Sequence, residues 1–236
     1  MTDFFAGDVA ARYDDSTTGM PTEPVVEFLE PFAGGGALEF ALGTGRIALP
    51  LAARGIRVAG IDLSPDMVAQ LRAKPGGDAI PVEIGDMTTT RVDGTFSLVY
   101  VVYNSIFNLR TQELQVACFG NAAAHLEPGG TFVVEIMVPE LQRLPLGDRF
   151  LLFDARPEHV GFDEYDLVTQ CLTSHHYDPV AGNYSTFPGR YIWASELDLM
   201  ARLAGMELRE RWADWDRSPF TAESAKHVSV WEKPAR

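Results

Sequence analysis

Residues 37–45 read ALEFALGTG, and this stretch predicts the class of fold. Its first half is apolar apart from one acid, Glu39, and is typical of a short buried β-strand. The strand runs into a Gly43–Thr44–Gly45 turn, after which residues 46–55 show helical spacing and end in a glycine. Glycines in such a turn let backbone N–H groups approach a ligand closely, because no side chain blocks them. We therefore expect a ligand-binding strand–turn–helix unit here.

Two cofactors fit this turn, and electrostatics separates them. The spacing of Gly43, Gly45 and Ala48 satisfies the fingerprint of NAD-binding turns, and Asp62 follows Gly43 at the distance expected of a ribose-binding acid. A pyrophosphate, however, prefers helix N-terminal N–H groups with no carboxylate nearby, and Glu39 lies within the strand that feeds the turn. An ammonium and a sulfonium would instead be stabilised by that carboxylate. The charge pattern favours S-adenosylmethionine over NAD.

Two further strand ends carry acids of the same kind. Residues 58–62 form an apolar strand that ends in Asp62, whose carboxylate could accept from both hydroxyls of a ribose. Residues 80–87 form another, in which Asp86 could accept from an adenine amino group while Met87 packs on the ring. Three acids at three successive strand ends suit a cationic nucleoside that has no phosphate.

At this point the chain resembles the class I S-adenosylmethionine-dependent methyltransferases. The resemblance runs collinearly over residues 35–138 and rests on four segments: Glu39 with Gly43–Thr44–Gly45, residues 61–67, residues 85–87 and residues 125–131. One departure is Ala41, where the family often has glycine. Within the family the chain looks most like small-molecule enzymes such as the deoxyamino-sugar N-methyltransferases.

Alternating strands and helices predict an α/β fold with a parallel sheet and right-handed crossovers. The resemblance implies a Rossmann-like doubly wound sheet of about seven strands in the order 3-2-1-4-5-7-6, one of them antiparallel. We expect residues 1–236 to form a single methyltransferase domain with a helical cap over residues 1–33. Between residues 139 and 193 the pattern predicts an antiparallel β insertion after strand 5, too long for a simple connector, that serves as a lid, a dimer contact or both.

Local signals predict several elements. Ser64 and Thr111 are expected as N-caps of two helices, and residues 195–198 resemble a capping box at the start of a third. Residues 95–103 form a nearly continuous apolar run, which is typical of a central strand that is covered on both faces. In the insertion we expect strands at residues 150–153, 167–177 and 184–193.

Open α/β sheets bind ligands beyond the carboxyl ends of their strands, which places the cofactor residues. Tyr13 joins them because its segment resembles the N-terminal segment that folds over the cofactor in related enzymes. The alternative for Asp62 and Asp86 is that they only cap the helices that follow. The expected cofactor residues are Tyr13, Glu39, Gly43, Thr44, Gly45, Asp62, Leu63, Met67, Asp86, Met87 and Val102.

Residues 103–108 are expected to line the methyl-acceptor side. Aromatic side chains, Phe5 among them, could form an apolar cage for the acceptor, although most aromatics belong to protein cores. The segment lacks the Asn/Asp-Pro-Pro-Tyr signature of base methylation and the acid cluster that binds magnesium, so we expect no metal. The expected substrate residues are Phe4, Tyr103, Asn104, Phe107, Tyr191 and Trp193.

Methyl transfer from a sulfonium is an in-line displacement, so proximity and alignment can supply most of the catalysis. A general base helps when the acceptor is a hydroxyl. His175 and His176 are candidates, but adjacent strand residues point to opposite faces, so at most one can face the cavity. Ordinary surface or edge histidines are the alternative. Glu135 could be a base, an amine anchor or a structural acid.

Composition limits the partners. The chain has a formal charge of −14, with 19 basic against 33 acidic residues and no basic run, which argues against nucleic acid. Its longest apolar runs have strand length, so we expect no membrane partner and a cytoplasmic location. The two cysteines, Cys118 and Cys171, are expected to be buried reduced thiols.

The sequence thus predicts a cytoplasmic enzyme that transfers a methyl group from S-adenosylmethionine to oxygen or nitrogen of a small molecule, with a homodimer as its expected assembly. Two alternatives stay open. The chain could bind S-adenosylmethionine without transferring the methyl group, since a fold does not fix its chemistry, or it could be an NAD-dependent oxidoreductase.

Overall fold

The computed structural model describes residues 4–235, so the predicted cap over residues 1–33 is described only from Phe4 onward. The helices are α1 (Asp8–Ser16), α2 (Glu23–Leu29), α3 (Ala48–Ala53), α4 (Pro65–Arg72), α5 (Gln112–His125) and α6 (Ala194–Leu203). The strands are β1 (Ala37–Phe40), β2 (Val58–Asp62), β3 (Val82–Ile84), β4 (Phe96–Val101), β5 (Leu126–Met137), β6 (Phe150–Arg156), β7 (His159–Asp166), β8 (Cys171–Asp178), β9 (Asn183–Arg190), β10 (Glu207–Trp212) and β11 (Lys226–Glu232). No helix within this part of the chain is long and apolar enough to cross a membrane.

The larger sheet has seven strands in the order β3-β2-β1-β4-β5-β11-β10. The paired strands from β3 to β5 are parallel, while β11 runs antiparallel to both of its neighbours. This confirms the predicted doubly wound order with one reversed strand. Parallel strands bring their carboxyl ends to one edge, so the ends of β1, β2, β3 and β4 meet there.

Two apolar clusters cover the two faces of this sheet. Phe40, Phe119, Phe132 and Trp231 are fully buried in one cluster, and Leu29, Leu51 and Tyr100 are fully buried in the other. Strand β4 contributes buried side chains to both clusters, as its continuous apolar run predicts.

Two of the three expected helix caps are confirmed. Ser64 Oγ accepts from the Met67 N–H at 3.4 Å, and Thr111 Oγ1 accepts from the Leu114 N–H at 3.3 Å. The capping box at residues 195–198 is wrong, because α6 begins at Ala194 without a side-chain cap. Asp198 instead accepts from the Trp231 indole N–H at 2.9 Å and from Arg211. Asp198 therefore bonds to residues distant in sequence and not to the start of its own helix.

The second sheet is a four-stranded antiparallel meander, β6-β7-β8-β9, which confirms a β insertion after strand 5. Strand β7 was missed by the sequence pattern, and residues 167–170, expected as strand, form a turn. Asp166 explains that turn, because its carboxylate accepts from Val168 N–H and from Thr169. The inner face of this insertion sheet buries Leu151, Tyr165 and Leu172.

The outer face of the insertion sheet carries exposed apolar side chains instead. Leu152 is 54% exposed on β6, and Phe150 and Tyr184 are also exposed. Both cysteines carry free thiols, but only Cys118 is buried, since Cys171 lies half-buried on β8.

Candidate active site

A cavity of about 920 Å³, its open mouth included, lies beyond the carboxyl ends of β1, β2, β3 and β4. Its walls come from the turn after β1, the ends of β2 and β3, the segment after β4 and the N-terminal residues. Ten of the eleven expected cofactor residues line it; the exception is Gly45. The lining residues are Phe4, Phe5, Tyr13, Glu39, Ala41, Leu42, Gly43, Thr44, Arg46, Ile47, Ile61, Asp62, Leu63, Ser64, Met67, Gly85, Asp86, Met87, Val102, Tyr103, Ser105 and Asn108.

The turn after β1 is built from left-handed backbone conformations. Ala41, Gly43 and Gly45 have φ values of 53°, 62° and 79°. At Gly45 a Cβ would also lie 2.4 Å from Leu71, so this glycine shapes the turn without facing the cavity. Ala41 occupies its left-handed conformation with a side chain, which costs an L-residue roughly 1–2 kcal/mol. The departure from glycine noted in the sequence thus stores strain at the cavity wall.

Asp62 holds this turn against the end of β2. Its Oδ2 accepts from the Gly43 N–H at 2.6 Å, and its Oδ1 accepts from the Ser64 N–H at 2.8 Å. The carboxylate is thereby fixed at the edge of the cavity. Asp86 shows similar local bonds, since its Oδ1 accepts from the N–H and the hydroxyl of Thr88 at 2.8 and 2.7 Å. Both acids therefore cap a local turn and line the cavity at the same time.

Glu39 is the most deeply buried acid of the cavity wall, with 3% of its surface exposed. Its Oε2 accepts from the Tyr100 hydroxyl at 2.9 Å. Burial raises the pKa of Glu39 to about 8, although the Tyr100 hydrogen bond and the charge of Arg46 act in the opposite direction. A pKa near 8 leaves the Glu39 carboxyl mostly protonated at neutral pH, and a cationic ligand beside it would favour the ionised form.

The N-terminal residues close the cavity from above, and we call residues 4–17 the N-terminal cover. Asp14 fastens it, because its Oδ1 accepts from Thr44 Oγ1 at 2.6 Å and its Oδ2 pairs with Lys74 at 2.6 Å. Burial alone would raise the pKa of Asp14, but the Lys74 and Thr44 hydrogen bonds outweigh it and lower that pKa. Gly7 N–H also donates to Asp66 at 2.7 Å.

Three aromatic side chains of the cover face the cavity: Phe4, Phe5 and Tyr13. The rings of Phe5 and Tyr13 meet edge to face at 6.0 Å. Burial raises the pKa of the Tyr13 hydroxyl to about 12, so this phenol stays protonated at physiological pH. The cover thus forms an apolar roof over the cavity, in which the Tyr13 hydroxyl is the one polar group of the three aromatic side chains.

Residues 102–109, which we call the strap, form the wall after β4. Tyr103 and Asn104 are consecutive left-handed residues, with φ values of 55° and 60°. Tyr103 N–H donates to Glu135 Oε2 at 2.9 Å, and Asn104 Oδ1 accepts from the Met137 N–H at 2.6 Å. The Tyr103 side chain lines the cavity, where the Arg46 guanidinium lies 5.4 Å from its ring centre.

The structure places only part of the expected substrate set at this cavity. Phe4 and Tyr103 line it. Phe107 and Tyr191 are buried in the apolar cluster that joins the insertion sheet to the strap. The Asn104 side chain accepts a hydrogen bond from the backbone of β5, and Trp193 lies 41% exposed beside Tyr191. These four residues are absent from the lining of the cavity as far as residues 4–235 define it.

The two candidate histidines lie on opposite faces of β8, as expected, and neither lines the cavity. His175 stacks on Phe162 at 4.5 Å and contacts the Tyr184 hydroxyl. His176 joins a hydrogen-bonded chain with His159 at 3.0 Å and Ser174 at 3.2 Å. Burial lowers the pKa of His176, which favours the neutral imidazole. Within residues 4–235 no cluster of His, Cys, Asp or Glu is arranged to hold a metal ion.

Glu135 is nearly buried at the end of β5, behind the strap rather than on the cavity wall. Its carboxylate accepts from Tyr103 N–H, from the Trp215 indole N–H at 3.0 Å and from Lys226 at 3.2 Å. Asp214 also pairs with Lys226, at 2.8 Å. Burial alone would lower the pKa of Lys226, but Asp214 and Glu135 outweigh it and raise that pKa.

Sequence reasoning missed several residues of the cavity wall. Arg46 is the most consequential, because it is the one cation among the lining residues that the structure describes. Its position directly after the Gly43–Gly45 turn could have indicated it. Ser105 and Asn108 were not named individually as substrate residues, but both belong to the segment 103–108 expected on the acceptor side, where they lie in a short 3-10 turn of the strap.

Several known proteins that this chain resembles are methyltransferases. A family model described as a methyltransferase domain matches residues 37–130. The structure of the CcbJ methyltransferase from Streptomyces caelestis is similar with a TM-score of 0.82 and 35% identity, covering 96% of each chain. The cypemycin N-terminal methyltransferase of a Streptomyces species is 29% identical over 213 residues, or 86% of this chain and 85% of that protein.

A third relative extends the structural likeness. S-adenosylmethionine-bound CalS10, an amino pentose methyltransferase from Micromonospora echinaspora, superposes with a TM-score of 0.69 at 20% identity and covers 99% of both chains. At that identity the similarity concerns the fold.

Proposed function

Because the chain belongs to the S-adenosylmethionine-dependent methyltransferases, we propose that it methylates an oxygen or nitrogen atom of a small molecule in the cavity beyond β1–β4. One observation carries this proposal: Glu39, Asp62 and Asp86 line a single cavity that contains Arg46 as its cation. That charge pattern matches a donor with an ammonium, a carboxylate and a ribose, and its three acids disfavour a pyrophosphate.

In this proposal each part of the donor meets a residue of suitable chemistry. Asp62 would accept from the ribose hydroxyls, and Asp86 from the adenine amino group. Glu39 would hold the ammonium while Arg46 pairs with the carboxylate, because a guanidinium recognises a carboxylate well. Leu63, Met67, Met87 and Val102 would supply the apolar contacts. The bound donor contributes the activated methyl group.

The protein's own contribution would be alignment and exclusion of water. The aromatic roof of the N-terminal cover closes over the donor, and the strap presents Tyr103, Ser105 and Asn108 to the acceptor. Holding two reactants in line can contribute a large share of a displacement reaction, so no residue of the cavity needs to form a covalent bond. If a hydroxyl is the acceptor, a base would still be required.

The names of the relatives support nitrogen as the acceptor atom. One methylates the N-terminus of cypemycin, and another is an N,N-dimethyltransferase of a dTDP-linked amino sugar, 38% identical over 98 residues. A neutral amine attacks a methyl group without a base, which agrees with a cavity in which no histidine lines the described wall. We therefore place an amine-bearing small molecule or peptide end first among acceptors.

The proposal extends to the setting of the enzyme. Two free thiols suit the reducing cytoplasm, and a charge of −14 disfavours nucleic acid as a partner. We propose a homodimer formed through the outer face of the insertion sheet, supported by the exposed side chains of Phe150, Leu152 and Tyr184 on that face. The single methyltransferase domain expected over residues 1–236 is part of this proposal.

The first test compares an Asp62→Ala variant with an Asp78→Ala control, since Asp78 is an exposed acid away from the cavity. We expect Asp62→Ala to weaken S-adenosylhomocysteine binding at least about tenfold, because a buried hydrogen-bonded charge is lost, whereas the control stays within about twofold. Calorimetric titration measures both. Equal affinities in the two variants would contradict the role of Asp62.

Turnover is tested with radiolabelled S-adenosylmethionine and a panel containing an amino sugar, a phenol, a carboxylate and a peptide with a free N-terminus. Label transfer to the amines is the expected outcome. Tight donor binding with no transfer to any acceptor would favour a binding protein over an enzyme. Binding of NAD without binding of S-adenosylhomocysteine would overturn the donor assignment.

A further inference from the structure

The strap is held in a strained shape by a group that lies outside the cavity. Tyr103 and Asn104 are consecutive left-handed residues, a strained conformation that non-glycine residues rarely adopt. Such strain persists only where surrounding contacts enforce it. Here it turns the Tyr103 ring into the cavity, where it faces Arg46.

Glu135 makes two of the contacts that enforce it, and the Met137 N–H, which donates to Asn104 Oδ1 at 2.6 Å, makes a third. Glu135 Oε2 receives the Tyr103 N–H at 2.9 Å, and its backbone carbonyl receives the Asn104 N–H at 3.3 Å. One residue of β5 therefore fixes both left-handed N–H groups. A backbone N–H bonded to a buried carboxylate is a charge-assisted hydrogen bond, which is about twice as strong as a neutral one.

Glu135 is in turn fixed from the far side. The Trp215 indole N–H donates to Oε1 at 3.0 Å, and Lys226 donates to the same oxygen at 3.2 Å. Trp215 is nearly buried and packs edge to face on Phe28 at 5.2 Å. These contacts leave the carboxylate oriented toward the strap and away from the cavity.

We infer that Glu135 is a positioning residue, which sets the place of Tyr103 and hence the acceptor side of the cavity without touching either reactant. This inference rests on the proposed function in one respect only, that the strap faces the methyl acceptor. It differs from the roles of base and amine anchor, because one carboxylate oxygen is bonded to the Tyr103 N–H of the strap and the other to the Trp215 indole behind it.

The chain offers a matched control. Asp198 is an acid of the same kind in the same sheet region, since it accepts from the Trp231 indole at 2.9 Å and pairs with Arg211 at 2.7 Å. It holds α6 against β11, and its hydrogen-bond partners within the described residues, Arg211 and Trp231, lie outside the strap. A purely stabilising acid and a positioning acid can thus be compared within one protein.

The experiment measures hydrogen exchange of the strap amides by mass spectrometry in Glu135→Ala, Glu135→Gln and Asp198→Ala, each with saturating S-adenosylhomocysteine. We expect strap exchange to accelerate about tenfold or more in Glu135→Ala and less in Glu135→Gln, which keeps one acceptor oxygen, and to stay unchanged in Asp198→Ala. If Glu135→Ala does not fold, Glu135→Gln still gives the comparison.

Kinetics supply the second readout once an acceptor is known. We expect kcat/KM for the acceptor to fall about tenfold or more in Glu135→Gln while S-adenosylhomocysteine affinity changes less than about threefold, because misplacing a positioned group mainly affects alignment. Loss of turnover with unchanged strap exchange would overturn positioning and favour a base. Equal strap exchange in the Glu135 and Asp198 variants would reduce Glu135 to a structural acid. The exchange result does not depend on finding methyl transfer, so it separates this inference from the proposed function.

Discussion

At the scale of single residues, the raised pKa of Glu39 makes both protein stability and ligand binding depend on pH. Burial raises this pKa from an ordinary value of 4.5 to about 8 in the folded protein. A raised carboxyl pKa contributes stability that is fully present below the unfolded value and is lost as pH rises toward the folded one. As pH rises from about 5 to 8, Glu39 therefore makes the protein without bound ligand progressively less stable.

We predict that a Glu39→Gln variant removes this dependence. Its free energy of unfolding should exceed that of the parent by on the order of a few kcal/mol at pH 8 and by much less at pH 5, which denaturant titrations at the two pH values would measure. A difference that is constant between pH 5 and pH 8 would contradict the raised pKa.

The raised pKa of Glu39 also predicts that its carboxyl releases a proton when the donor binds. An ammonium beside Glu39 would lower its pKa, so binding at pH 7 should release up to about one proton in the parent and none in Glu39→Gln. Calorimetry with S-adenosylhomocysteine in two buffers of different ionisation enthalpy gives the number. Binding without proton release in the parent would place the ammonium elsewhere.

Residue identities at strand ends were predictable, whereas orientations set by distant partners were not. Asp62 ends β2, Glu39 lies one residue before the end of β1 and Asp86 lies two residues after β3, so the topology alone brings them to one edge. Phe107 and Tyr191 look like cavity aromatics in the sequence, but the insertion sheet covers them. No local pattern encodes that packing, because its partners lie far away in the chain.

At the scale of elements, β9 approaches the strap closely at Gly189. A Cβ on Gly189 would lie 2.0 Å from the Phe107 ring, so the strand can approach the strap only because no side chain is present. The insertion sheet was predictable as β structure, but this contact and the number of its strands were not. The contact and the number of strands both depend on pairing between segments in which apolar and polar residues alternate only weakly.

We predict that Gly189→Ala destabilises the protein by about 1–3 kcal/mol, because overpacking forces neighbours apart. Gly120→Ala is the control, since Gly120 lies exposed within α5 with open space around it and should gain about 0.5–1 kcal/mol. Thermal unfolding measures both. In a Phe107→Leu background, Gly189→Ala should lower the free energy of unfolding by less than it does in the parent. An equal loss in the two backgrounds would exclude this contact as the cause.

At the scale of the whole molecule, the outer face of the insertion sheet carries exposed apolar side chains that a dimer could cover. We predict that Leu152→Asp, which places a charge on that face, converts the proposed dimer to a monomer in sedimentation velocity. Leu203→Asp is the control, because Leu203 is 75% exposed on α6, away from the insertion sheet. A parent that sediments as 25.9 kDa, or a Leu203→Asp variant that dissociates equally, would rule out this interface.

The place of β11 has a consequence for how the protein is made. This strand pairs with β5 on one side and β10 on the other, although both are translated before it. While the ribosome synthesises residues 138–225, β5 therefore waits with an open edge that could pair with another nascent chain. The insertion sheet is finished during that interval through pairings between consecutive strands. The contacts that fix Glu135 behind the strap are completed only when β11 emerges with Lys226, so in the nascent chain the acceptor side of the cavity matures last.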